Sequence, residues 1–62
     1  MNTPTIQALG IQRPWWTRRW QATGYVEGVG WLEAWGPSLI EAMEALQVLA
    51  ARRVAEHEQE NP

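Results

Sequence analysis

The clearest periodicity in the chain lies in its second half. Leu39, Ala42, Met43, Leu46, Leu49, Ala50 and Arg53 recur at the i, i+3, i+4, i+7 spacing of one helical face. Ser38 precedes this run and Glu41 follows three residues later, so "SLIE" reads as a capping box. The interior is Ala, Leu, Met, Glu, Gln and Arg, all good helix formers. The pattern predicts a helix from Ser38 to about residue 57. Gly36-Pro37 stops whatever precedes it, and residues 59–62 form a polar tail expected to fray.

Upstream the pattern changes. Residues 15–23 and 29–35 are rich in tryptophan, with threonine in the first and leucine in the second, and these predict two strands. "GYVEGVG" lies between them and is glycine-punctuated, which suits a hairpin. A two-residue turn at Glu27-Gly28 would pair Val26 with Val29; a longer, bulged loop is the alternative. Residues 1–13 form an N-terminal arm in which Ile6, Leu9 and Ile11 fit no single period. Gly10 and Pro14 punctuate it. The arm is expected to pair at a sheet edge, in this chain or in a neighbouring copy. The fold class is therefore α+β. A Trp-rich antiparallel hairpin, three-stranded if the arm joins it, packs against one C-terminal helix in a single ββα domain over 14–58.

Alternation sorts the tryptophans. Trp16, Arg18 and Trp20 share one face of the first predicted strand, and Trp31, Glu33 and Trp35 share one face of the second. With the two-residue turn, paired positions sum to 55, and both triplets fall on the same face of the hairpin. Trp15, Thr17, Arg19, Gln21, Thr23, Leu32 and Ala34 then take the other face. A slip of one residue would separate the triplets. A single helix covers only one sheet face. The rings are therefore either core, with Arg18 and Glu33 paired at its edge, or an exposed interface.

Composition narrows the chemistry. Sixty-two residues make one domain, and a chain this short buries only about 60% of its unfolded surface. There is no cysteine, which removes disulfides, thiolate metal sites and cysteine nucleophiles. A partner subunit or a partner protein is the remaining supplement to a small core, so a homodimer is expected. Charge is uneven: Arg13, Arg18 and Arg19 precede all seven glutamates, and the net charge is −2. "WWTRRW" interleaves rings with arginines as single-strand binders do, but three arginines are few and the predicted helix is acidic. Nucleic acid is disfavoured. His57 among Glu56, Glu58 and Glu60 is at best a weak metal site and reads as a solvated helix end. Ser38 is used as a cap, and the remaining hydroxyls have no base beside them. No catalytic set, cofactor site or metal site is expected. No apolar run is long enough to span a membrane, and the N-terminus lacks the basic and apolar regions of a signal peptide. A cytoplasmic chain is expected.

The run "GYVEGVGWLEAWGPSLIEAMEALQVL" resembles the strand-and-helix part of small ββα units. Antitoxin-like domains of the HicB kind and double-stranded RNA-binding domains both contain one. The RNA-binding family carries bases at its helix start, whereas Glu41 and Glu44 stand here. In its size, its lack of cysteine and its wealth of Ala, Trp, Arg and Glu, the chain is also similar in style to small accessory proteins of bacteriophages. That resemblance implies a protein that occupies a surface of a host protein and blocks it. The function expected is thus a non-enzymatic protein-binding module. Trp15, Trp16, Trp20, Trp31 and Trp35 are its anchors, and Arg18 and Arg19 make directional contacts. A nucleic-acid-binding regulator and a structural subunit of a larger assembly are the alternatives.

Overall fold

The computed structural model describes residues 5–60, with side chains to residue 58. Three strands, β1 (Ile6–Gln12), β2 (Trp20–Val26) and β3 (Gly30–Gly36), precede one helix, α1 (Leu39–Glu60). The strands form one antiparallel sheet in the order β1-β2-β3. The α+β class follows, with most of segment 1–13 built into the sheet as β1. The helix runs to Glu60 rather than to about residue 57, and residues 61–62 of the predicted tail lie outside the described residues.

The first predicted strand needs correction. It spans 20–26, not 15–23. The high strand propensity of Trp15–Arg19 is overridden by two prolines. In the observed ladders Gln12 pairs with Gln21 and Trp20 with Gly36. One step further would set Arg19 against Pro14 on one side and Pro37 on the other, and neither proline has an N–H to donate. The sheet therefore ends at Trp20. The chain before it turns instead: the Thr17 amide donates to the Pro14 carbonyl at 3.1 Å, and the Arg19 amide donates to Thr17 Oγ1 at 3.1 Å.

The hairpin register is also corrected. Val26 pairs with Gly30, so the loop is Glu27-Gly28-Val29, one residue longer than the shortest turn. The Val29 amide closes it on the Val26 carbonyl at 3.0 Å. Gly28 has φ +84°, the positive angle that the third position of a type II turn requires. Paired positions therefore sum to 56. Even positions of β2 and β3 now face the same side, and the two predicted tryptophan triplets do not share a face.

The even side meets α1. Ala22, Ala42 and Leu46 are buried at its centre, with Ile6, Ile11, Trp20, Leu32 and Ala34 packed around them. Val26 and Ala50 are buried as well. The irregular arm is explained by β1: Gln7 pairs with Tyr25 and Gly10 with Thr23, so Ala8 and Leu9 together oppose Gly24. This bulge resets the alternation. Ile6 and Ile11, which are five apart, thereby both reach the helix side.

The capping box at Ser38 is present. The Glu41 amide donates to Ser38 Oγ at 3.2 Å, and the Ser38 hydroxyl donates to Glu41 Oε2 at 2.9 Å. The Glu41 carboxylate thus meets the hydroxyl rather than the Ser38 amide. The helix start lies hard against the end of β3, where a Cβ on Gly36 would sit 2.6 Å from the Ala42 amide nitrogen.

Two substitutions test this geometry. Gly36→Ala must push the helix start away from β3 and is expected to cost about 1–3 kcal/mol. Thermal denaturation should show the midpoint falling by at least about 4 °C; an unchanged midpoint would refute the close approach. Ala8 holds a left-handed φ of 53° in the bulge, a conformation that costs an L-residue about 1–2 kcal/mol. Glycine removes that strain and loses about 0.4–1 kcal/mol through the freer unfolded chain. Strain relief is the larger effect, so Ala8→Gly should raise the midpoint by a few degrees.

Candidate functional site

The odd side of the sheet faces away from α1. Its positions are Gln7, Gly10 and Gln12 on β1, Gln21, Thr23 and Tyr25 on β2, and Trp31, Glu33 and Trp35 on β3. One charged residue, Glu33, stands among them, and there is no base. The rings form two pairs. Tyr25 and Trp31, cross-strand partners, meet edge-to-face with centroids 5.6 Å apart. Trp35 is met by Trp16, which folds down from the Pro14–Thr17 turn to a centroid distance of 6.0 Å. Such pairs contribute about 0.5–1.5 kcal/mol beyond the area they bury.

Polar side chains run across the strands between these pairs. Gln12 donates through Nε2 to Gln21 Oε1. Gln21 in turn donates to Glu33 Oε2 at 2.7 Å, and the Trp35 indole N–H donates to Glu33 Oε1 at 2.9 Å. All three strands are thereby tied together on their solvent side, and Glu33 and Trp35 are held in fixed orientations.

The five tryptophans thus divide by position. Trp16, Trp31 and Trp35 belong to the open face. Trp20 points the other way, half-buried against the core, with the Arg13 guanidinium 5.8 Å from its ring centroid. Trp15 stands at the outer corner of the turn, 94% exposed. Arg18 and Arg19 are exposed in the segment leading into β2 and lie outside the sheet. The predicted partnership of Arg18 with Glu33 is replaced by the bonds from Gln21 and Trp35. The signal for Gln21 and Tyr25 is the alternation of "QATGYV", which reads correctly once β2 starts at Trp20. Gln12 has no such signal, because its face is set by the bulge in β1.

Concavities also lie away from this face. Ile6, Leu9, Met43, Leu46 and Gln47 line a groove of about 200 Å³ between β1 and α1. It forms because the helix lies over β3 and β2 more than over β1. Gly28, Val29, Arg53, Glu56 and His57 line a second, more open one at the hairpin tip. There Arg53 and Glu56 pair at 3.1 Å across one helical turn. Among the described residues no three His, Asp or Glu side chains come together, and the Glu60 side chain lies outside them. Among those residues no helix is long and apolar enough to cross a membrane. No protein-family model matches the chain, and neither the curated proteins nor the solved structures contain a match.

The open face and the core make opposite predictions on truncation. Trp31 is 66% exposed, so Trp31→Ala should cost about 1 kcal/mol or less, chiefly its pairing with Tyr25. Leu46 is 1% exposed, and Leu46→Ala should cost about 2–5 kcal/mol. Urea titrations of the two variants check the ranking. Equal losses would mean that Trp31 is part of the core.

Proposed function

We propose that the chain is a non-enzymatic protein-binding module whose contact surface is the open sheet face with Trp16, Tyr25, Trp31 and Trp35. One observation carries the reading: no described element packs over these rings. A half-open antiparallel sheet normally shows polar side chains to water. Here Trp16 and Trp31 are 65% and 66% exposed on that side, and each indole presents roughly 200 Å². Aromatic surface of that extent on so small a domain marks an interaction site.

The character of the face supports a protein partner. Tryptophan and tyrosine dominate interface hot spots because they bring large area at little rotamer entropy. The bonds from Trp35 and Gln21 to Glu33 fix part of the surface before binding, which lowers the entropic cost of association. The face has no base to meet a phosphate backbone, and Arg18 and Arg19 lie beyond its edge. This favours a protein over a nucleic acid. The two exposed arginines can make directional contacts at the rim.

The test compares proteins captured from a cell lysate by the immobilised chain and by the Trp16→Ala/Trp31→Ala variant. Loss of two anchors should reduce retention of a true partner by about 30-fold or more. Retention should survive about 0.5 M salt, because aromatic contacts are less screened than phosphate contacts. Identical protein sets on the two baits, with both baits folded by circular dichroism, would refute the reading.

A further inference from the structure

The chemistry of the open face points to the kind of group it receives. We propose that the partner protein presents an arginine or lysine side chain to Glu33, seated between Trp31 and Trp35. This inference rests on the proposed function above and specifies the partner chemistry at its centre.

Three observations converge on Glu33. The first is charge. Glu33 is the one ionised group on the outward strand positions, and both groups bonded to it are neutral, the Gln21 amide and the Trp35 indole. Among the described residues the one ion pair joins Arg53 and Glu56, so Glu33 is paired with no cation there. The second is remaining capacity. Each carboxylate oxygen accepts one bond and has a second acceptor site left. The exposed residue therefore presents a held, half-satisfied carboxylate to the solvent side. The third is the pair of rings. Trp31 and Trp35 stand two residues before and two after Glu33 on the same face, at Cα spacings of roughly 6–7 Å. Trp35 turns its N–H edge to Glu33, so the Trp31 ring, two residues away on the same face, is the one that a guanidinium meeting the carboxylate would use for cation–π contact. Tryptophan is the strongest ring for such contact, and arginine suits both the fork of the carboxylate and a ring face. An anionic group would meet an uncompensated carboxylate.

A second copy of the chain does not supply this chemistry by stacking its own open face on the first. Two such faces stacked about an axis near Glu33 would bring like charge to like. The occupant assigned here is a different protein with a basic residue at the contact, and self-association is an outcome of the test.

The probes are two five-residue peptides, Gly-Ala-Arg-Ala-Gly and the same peptide with citrulline in place of arginine, both capped at their ends. Citrulline keeps the shape and removes the charge. Indole N–H signals of the ¹⁵N-labelled chain are followed during titration. The arginine peptide is expected to shift the Trp31 and Trp35 signals saturably, at least about fivefold more tightly than the citrulline peptide. Glu33→Gln, which keeps an acceptor for the Trp35 indole, should abolish that preference while leaving the backbone amide spectrum in place. Equal binding of the two peptides would overturn the inference, as would the absence of any shift at Trp31 and Trp35. Shifts of the same signals on raising the concentration of the chain alone would also overturn it, by assigning the face to a second copy. None of these failures touches the parent reading, which stands or falls on whether the Trp16→Ala/Trp31→Ala bait loses a captured protein.

Discussion

The structure depends on how closely α1 can approach the sheet. The residues at the contact are small: Ala22, Ala34 and Gly36 on the strands, and Ala42 and Ala50 on the helix. Ala22, Ala42 and Ala50 have no exposed surface at all. Leu46 is the one large side chain wholly enclosed. Such a seam brings backbone near backbone, as the 2.6 Å limit at Gly36 shows, and leaves no room for indoles in the middle. Trp20 is accommodated only at the end of the sheet, beside Arg13. The other rings must go elsewhere, and the far side of the sheet is where the alternation puts them. A thin core on one face and an aromatic surface on the other are thus two results of one packing choice.

That division bears on function through energetics. A seam of alanines contributes less burial per residue than a core of leucine or tryptophan, since the favourable term scales with apolar area removed from water. A domain of this size has little stability to spare. Yet the chain leaves four of its five tryptophans outside the core. Tying Gln12, Gln21, Glu33 and Trp35 together across three strands stiffens that exposed side, so the surface is held by hydrogen bonds rather than by a covering layer.

Much of the fold was legible in the sequence. The helix, its cap and its buried stripe followed from period and residue type, because all three are local. The antiparallel hairpin followed from turn signals, whereas the third strand stayed open because Ile6, Leu9 and Ile11 fit no single period. The strand limits did not, because they depend on where Pro14 and Pro37 come to lie relative to one another across β2, a non-local coincidence. The bulge at Ala8 and Leu9 was hidden for another reason: alanine gives no sign that it will adopt a left-handed angle. The candidate site was legible in part. Trp16, Trp31 and Trp35 lie together, whereas Trp20 turns to the helix side because the loop is the longer of the two that the glycines allow, which separates Trp20 from Trp31 and Trp35. Arg18 and Arg19 were linked to the strand face by a strand that does not extend that far.

The hairpin also constrains how this chain can vary. The pairing of Val26 with Gly30, rather than the length of the loop between them, decides which face every side chain of β3 takes. A loop of two or of four residues between that pair leaves Leu32 and Ala34 on the helix side. A slip of one residue in the pairing itself would turn them towards water and drive Trp31, Glu33 and Trp35 against a helix contact built for alanine and glycine. The tip is therefore free to change length among descendants of this chain, whereas the ladder between β2 and β3 is not free to slide.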